Sequence, residues 1–551
     1  MESAGRMLLS GNEAVALAAR DAAVAFGAGY PGTPSTEILE RFSELGGRAE
    51  WAPNEKVALE VALGAAFGGA RAMATMKHVG LNVAADPLFT AAYTGVSGAL
   101  VIVSADDPGM ASSQNEQDNR HYARAAGVPM LEPSDSQEAY DFTLAAIEIS
   151  ETWRLPVLLR LTTRVCHSKT IVRPPEGSNT FGRVNPSQTD AAYPPEGVKP
   201  SGGRLPPPPL PRFERDVKSR VMIPAYARLA HRRLREKLAQ IAAWGESSPL
   251  NRVIQGDGSL GIITSGISYV HAREAAPTAG VLKLGLTYPL PLQRIRAFAD
   301  SIARCVVVEE GDPYLADSIR AAGVPVEGKP EMYRFGELTV ARVRRILAGD
   351  TSPEPSPPPG KAPELCVGCP HRIVFEVLRD RDCIVAGDIG CYTLGVLPPF
   401  ETMDSCVCMG AAIGVGLGLR HVLPEDQARR VVSVLGDSTF VHSGITGLVE
   451  MVYNPPKTGH VLIILDNGTT AMTGHQEHPG TGRTLDRQPT GRVVFEDLAR
   501  ALGVRRVHVI DVIKDRAGFE RALAESLASG ELAVLIVRRP CLLVAKTTKK
   551  A

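Results

Sequence analysis

Residues 431–474, VVSVLGDSTFVHSGITGLVEMVYNPPKTGHVLIILDNGTTAMTG, constrain this chain more than any other stretch. Two apolar runs, 431–435 and 461–465, each pass directly into a polar tip rich in Gly, Asp or Asn. That is the pattern of buried strands ending in loops, and open parallel sheets bind ligands at such ends. The first tip offers the carboxylate of Asp437 between Gly436 and Ser438, and the second the amide oxygen of Asn467 beside Gly468. A glycine at each tip lets backbone approach a diphosphate closely. Oxygen ligands next to a diphosphate suit Mg²⁺, which takes one or two protein oxygens and completes its octahedron with phosphate and water. The 30-residue spacing from Asp437 to Asn467 leaves room for one strand, one helix and the returning strand. An ordinary βαβ unit explains GDS alone; the paired DN tip favours the ligand.

This pairing resembles the diphosphate signature of thiamine-dependent enzymes, GD(G/S) followed some thirty residues later by (N/D)N. On that resemblance Asp437, Asn467 and Thr469 hold the metal, and Gly436, Ser438 and Met472 join them around thiamine diphosphate.

With 551 residues the chain exceeds one core and predicts three or four domains. The zero formal net charge recruits neither nucleic acid nor an anionic membrane. No signal-like N-terminus and no run of about eighteen apolar residues occur, so a cytoplasmic enzyme without a membrane span is expected. Nine cysteines without a signal peptide argue for free, metal-binding or reactive thiols rather than a disulfide framework.

Residues 12–26 read as one Ala-rich helix closing at Gly27, before the turn GYPGTPSTEI. Thr33, Ser35 and Thr36 there either cap the next helix or face a ligand. Asn54 is a plausible N-cap for a helix with Val57, Val61 and small residues on one face, ending at Gly68 and Gly69. Glu55 lies in its first turn, where an acid also complements the helix dipole. Residues 98–106 form a buried strand entering a polar loop, where Lys77, His78, Arg120 and His121 are candidate cations for a substrate carboxylate. Residues 155–162 complete a doubly wound α/β domain over 1–168. Residues 172–212 are Pro-rich, and an amphipathic basic helix fills the connector to 250. A second α/β unit spans 251–350, with Glu309 and Glu310 read as surface acids. A Pro-rich linker, 351–364, precedes the last domain, 365–551. There Cys366 and Cys369 with Cys406 and Cys408 offer four sulfurs for a zinc or iron–sulfur site. Cys406 and Cys408 also open a Gly-rich helix of the kind that binds diphosphate at its N-terminus. His475 and His478 are candidates for substrate or acid–base contact.

YPGTPSTEI followed by NEKVALEVALGAAFGGARAMATMKHVGLN resembles the pyrimidine domain of 2-oxoacid:ferredoxin oxidoreductases. KLGLTYPLP and VVVEEGDP resemble the family's transketolase C-terminal-like domain; LCVGCPHR, GDIGCYTLG and DSCVCMGA resemble the alpha subunit of indolepyruvate ferredoxin oxidoreductase. The implied fold is α/β, with three doubly wound parallel-sheet domains that bind pyrimidine, resemble the transketolase C-terminus and bind diphosphate. Glu55 becomes the acid that hydrogen-bonds the pyrimidine ring, with Glu60 as the alternative; Thr33 and His78 fall near the substrate. Gly390, Cys391 and Cys408 line the diphosphate and thiazole side without ligating a cluster. The implied reaction is oxidative decarboxylation of an aryl 2-oxoacid with coenzyme A, by a dimer of heterodimers with a beta subunit. A non-oxidative decarboxylase or acyl transferase is the alternative. The family's ferredoxin-like C-x₂-C-x₂-C-x₃-C runs are not found here. No iron–sulfur ligand set is therefore recognisable, and electrons are expected to reach ferredoxin or another acceptor through a partner.

Overall fold

The computed structural model describes residues 6–174, 205–208, 210–355 and 363–544. Much of the two Pro-rich connectors, 175–204, 209 and 356–362, lies outside the described residues. The chain divides into two compact units, 1–355 and 356–551.

The first unit is built on a seven-stranded sheet. Its order is Leu286–Tyr288, Met130–Leu131, Val157–Thr162, Ala99–Asp106, Arg71–Lys77, Phe26–Gly29 and Ala49–Trp51. All neighbours are parallel except Leu286–Tyr288, which runs antiparallel to Met130–Leu131. Ala99–Asp106 is buried along its whole length, as a strand covered on both faces must be. In a second sheet Arg304–Val308, Leu260–Ser265 and Gly280–Leu284 are parallel, and Arg252–Ile254 pairs antiparallel at the edge. A further pair joins Met7–Ser10 to Lys169–Val172.

Three local expectations change. The expected helix over 12–26 stops at Asp21, and Phe26–Gly29 pairs with Arg71–Lys77 instead; sheet pairing overrides the helical propensity of its alanines. The helix Glu55–Phe67 is capped by Asn54, whose Oδ1 accepts from Val57 N at 3.0 Å, and closes at Gly68. It buries Ala58, Leu59, Ala62 and Ala66, while Val61 is exposed, so its packed face is not the one expected. Glu309 and Glu310 are buried rather than surface acids. Glu309 accepts from Leu315 N and Ala316 N at 2.8 and 2.9 Å and pairs with Arg120 at 2.6 Å; burial pushes Glu310 up to about 7.

That pairing removes Arg120 from the candidate substrate cations. Its guanidinium is 1 % exposed and donates to Asp118, Glu309 and the carbonyls of Glu310 and Asp312. Arg120→Ala would leave Glu309 buried without its paired guanidinium and Asp118 with only Arg160, 3.7 Å away, which costs about 3–5 kcal/mol. Scanning calorimetry should show the first unit's unfolding midpoint lowered by several degrees; an unchanged midpoint would mean the network is dispensable.

The amphipathic helix forms as expected over Pro224–Gly245, burying Ala230, Leu234, Leu238 and Ile241 and leaving Arg228, Arg232, Arg233 and Arg235 exposed, with Lys237 half-buried.

The second unit has six parallel strands in the order Ser405–Cys406, Ile384–Gly387, Val431–Gly436, His460–Asp466, Leu532–Arg538 and Arg506–Ile510. Two apolar clusters cover its faces, one including Phe375, Tyr392 and Phe519, the other Ile413, Phe440 and Phe495. From Ile384–Gly387 the chain first moves to the edge strand, then returns to Val431–Gly436 on the opposite side. The order therefore reverses between these two strands, which opens a crevice at their carboxyl ends.

Candidate active site

The tips after Ile384–Gly387, Val431–Gly436 and His460–Asp466 meet at that crevice. Asp437, 2 % exposed, accepts from Ser438 N through Oδ1 at 2.9 Å and from Gly468 N through Oδ2 at 2.7 Å. Gly468 has φ +71°, a conformation that favours glycine. Asn467 Oδ1 accepts from Thr469 N at 3.0 Å, and Ser438 Oγ bonds Thr470 Oγ1 at 2.9 Å. Thr469 is buried, its Oγ1 donating to Gln476 O at 3.3 Å, whereas Met472 is exposed. His478 Nδ1 accepts from Gly480 N at 3.1 Å, so the ring proton sits on Nε2, 3.3 Å from Asp437 Oδ2. His475 lies nearby on the loop, at φ +70°. A short helix, Asp437–Thr439, continues into a π-turn over Phe440–Gly444; such turns often mark functional sites.

The neighbouring tip carries Asp388, which sequence reading passed over. Its carboxylate accepts from Ile389 N, Gly410 N and Ala412 N at 2.8, 3.0 and 3.0 Å, and burial pushes it up to about 6. The Gly-rich helix begins at Ala411, so Asp388 occupies its N-terminal N–H groups; Cys408 precedes it on an exposed loop. The signal was an acid directly after a strand in GDIG. A Cβ on Gly390 or Gly436 would come within 2.3 or 2.7 Å of Tyr392 Cε1, so both glycines are sterically required.

In the first unit Glu55 is 4 % exposed at the start of its helix. A Cβ on Gly80 would lie 2.6 Å from Glu55 Oε1, so only glycine leaves room for this carboxylate. Glu60 instead faces outward and pairs with Lys56. His78 is fully buried, its Nε2 3.0 Å from Asn115 O, and burial holds its pKa below the usual value. Lys77 donates to Ser112 O at 3.0 Å; His121 is exposed. Thr33 is half-buried, followed by a cis peptide to Pro34. Ser35 and Thr36 make no N-cap: Ser35 Oγ donates to Gly32 O and Thr36 Oγ1 accepts from Gly32 N, both at 3.0 Å.

Two family models match. "Pyruvate flavodoxin/ferredoxin oxidoreductase, thiamine diP-bdg" covers residues 17–208, and "Thiamine pyrophosphate enzyme, C-terminal TPP binding domain" covers 388–537. Indolepyruvate oxidoreductase subunit IorA of Archaeoglobus fulgidus is 40 % identical over 97 % of this chain and 86 % of that protein. The chain belongs to the IorA family. The Thermococcus kodakarensis IorA is 38 % identical over 98 % of this chain and 86 % of its own length. A solved 2-oxoglutarate:ferredoxin oxidoreductase from Magnetococcus marinus aligns over 63 % of this chain and 65 % of that one, at 18 % identity and a TM-score of 0.48. Among the described residues no helix is long and apolar enough to cross a membrane.

The IorA-family chain presents residues that fit the family's cofactor. Asp437 and Asn467 supply hard oxygens, the glycines hold no space a Cβ could share, and His478 Nε2 is buried without a hydrogen-bond partner among the described residues.

The cysteines group otherwise than expected. Burial pushes the Cys369 thiol up to about 11, and Cys366, Cys391 and Cys541 add to the rise; Cys391 is raised by burial, Cys541 and Cys366. Burial raises Cys406 and Cys408, and the Asp388 charge adds to both. Cys541 N donates to Asn467 O at 3.0 Å, which ties this group to the diphosphate tip. Among the described residues, no three of these sulfurs lie within 4.8 Å of one another. A zinc tetrahedron would hold sulfurs about 3.8 Å apart.

Proposed function

We propose that this chain is the catalytic subunit of an enzyme that oxidatively decarboxylates an aryl 2-oxoacid of the indolepyruvate type to its acyl-coenzyme A. Electrons pass to ferredoxin or another acceptor through a beta subunit, in a cytoplasmic dimer of heterodimers. The supporting observation is that one IorA-family chain carries both a buried acid pressed on Gly80, in its first unit, and an acid and amide at adjacent parallel-strand tips, in its second. Thiamine diphosphate, when bound, supplies the electron sink for loss of CO₂.

Glu55 is the acid that would hold the pyrimidine side of the cofactor and hold or move a proton there. Asp437, Asn467 and Thr469 would supply the oxygens for Mg²⁺, and Gly436, Ser438, Gly390, Cys408 and Met472 would line the diphosphate and thiazole side. Thr33 would lie near the substrate, with His78 buried; burial lowers the His78 pKa, which favours a hydrogen-bonding role over that of a counter-charge.

The four grouped thiols support a revision of the sequence expectation. Cys366, Cys369, Cys391 and Cys541 influence one another electrostatically, and four thiolates are the number a [4Fe–4S] centre takes; a cluster held by them would supply one-electron transfer. Anaerobically purified protein should then carry about four iron atoms on this chain, and Cys391→Ala should lose iron and acid-labile sulfide. Iron retained in full by Cys391→Ala, or none in the wild type, would refute this ligand set.

Activity tests the reaction. CO₂ release from an aryl pyruvate should require thiamine diphosphate, Mg²⁺ and an electron acceptor. Aryl acetaldehyde released without any acceptor would replace the oxidoreductase by a non-oxidative decarboxylase.

A further inference from the structure

In the first unit a cavity of about 130 Å³, walled by residues from 92–97, 154–155 and 216–237, is lined by Arg154, Arg220, Arg233 and Lys237, with Asp216 as its one carboxylate. Neither the cofactor reading nor the reaction uses it. Arg233 and Lys237 come from the basic face of Pro224–Gly245, Arg220 from Val217–Arg220, and Arg154 from the end of Ser136–Trp153.

Such convergence is unfavourable unless something offsets it. Among the described residues, Arg220, Arg233 and Lys237 form no salt bridge, and Asp216, held low mainly by its hydrogen bonds with Ser219, senses Arg220 and Arg233 only as a lesser influence. Burial and the charges of Arg154 and Arg233 lower Lys237 to about 8. Its ammonium leans on Arg154 O at 3.4 Å. The Arg220 guanidinium is fixed in place: it lies 4.9 Å over the Phe213 ring and 5.2 Å over Phe67, and donates to Ser97 Oγ and Glu214 O. A held guanidinium keeps its fork without the entropy loss of ordering a free side chain.

We propose that this cavity binds a phosphoryl group. Three features select that chemistry. Guanidinium forks match tetrahedral oxyanions bidentately. Thr94 and Ser219 are also among the lining residues; the Thr94 hydroxyl now donates to Ala91 O and Gly95 O at 3.3 and 3.2 Å and can turn from them to a phosphate oxygen. The volume falls below the roughly 300–1,000 Å³ of a site that encloses a whole drug-sized ligand, so it takes the phosphate of a molecule rather than the molecule entire. The group is either free inorganic phosphate or the terminus of a phosphomonoester whose remainder lies outside.

The test is calorimetric titration of the full chain with inorganic phosphate and with adenosine monophosphate, each against chloride at matched ionic strength. Phosphate should bind wild type and raise its unfolding midpoint by mass action. In Arg233→Ala/Lys237→Gln the dissociation constant should rise at least about tenfold, the scale of 1.4 kcal/mol. Arg233→Gln alone should weaken binding by less. Tighter binding of adenosine monophosphate than of phosphate identifies a phosphomonoester; equal binding identifies the free anion. Absence of any wild-type binding beyond the chloride control overturns the proposal. So does unchanged affinity in a double variant whose ligand-free unfolding midpoint matches wild type, because the anion would then sit elsewhere.

Discussion

Glu55→Gln is expected to lower 2-oxoacid turnover by about 10²–10⁴-fold, the range for removing a positioned proton-transfer group. The amide fills the same volume against Gly80, so the unfolding midpoint should stay near wild type. Thiamine diphosphate affinity should change little, since Asp437 and Asn467 are untouched. Glu60→Gln is the matched control: it alters an exposed acid paired with Lys56 and should leave turnover within error. Steady-state rates with an artificial acceptor, read beside a cofactor titration, separate these outcomes. Full activity in Glu55→Gln would show that another acid performs the proton exchange.

Asp437→Ala should act on binding rather than on the chemical step. Outer-shell partners of a metal already influence affinity 10–100-fold, so loss of a ligating carboxylate should weaken Mg²⁺-dependent thiamine diphosphate binding by at least about 100-fold. Alanine also strips the acceptor from Ser438 N and Gly468 N, which costs about 1–3 kcal/mol if both stay dry. Asp437→Asn keeps an acceptor for one of them and separates stability from affinity. Equilibrium dialysis of both variants with and without Mg²⁺ is the measurement. Wild-type affinity in Asp437→Asn would remove Asp437 from the metal site.

How far these residues were legible in the sequence depends on how local their signals are. Val431–Gly436 and His460–Asp466 were readable because strands buried on both faces are continuous apolar runs. Asn54 and the basic helix were readable because caps and 3.6-residue periodicity are written within a few positions. Arg120 was not: an arginine in a polar loop looks solvated until Glu309, 189 residues later, is folded against it. Cys541 was invisible for the same reason, since its partners Cys366, Cys369 and Cys391 precede it by 150 residues or more. Asp388 was overlooked for a different cause. Its neighbours Gly390 and Cys391 matched a motif, and the acid that holds the next helix's N–H groups did not enter the comparison.

The edge strand Leu286–Tyr288 has a consequence for how the chain is made. Its neighbour Met130–Leu131 leaves the ribosome some 155 residues earlier, which at 5–20 residues per second is about 8–30 s of waiting. Through that interval the first sheet has an open side, and Arg120 lacks Glu309. An open edge invites another nascent chain to pair with it. Here the exposed strand is two residues long, too short to template a stable ladder, so the half-built sheet can wait for its last strand without recruiting a stranger.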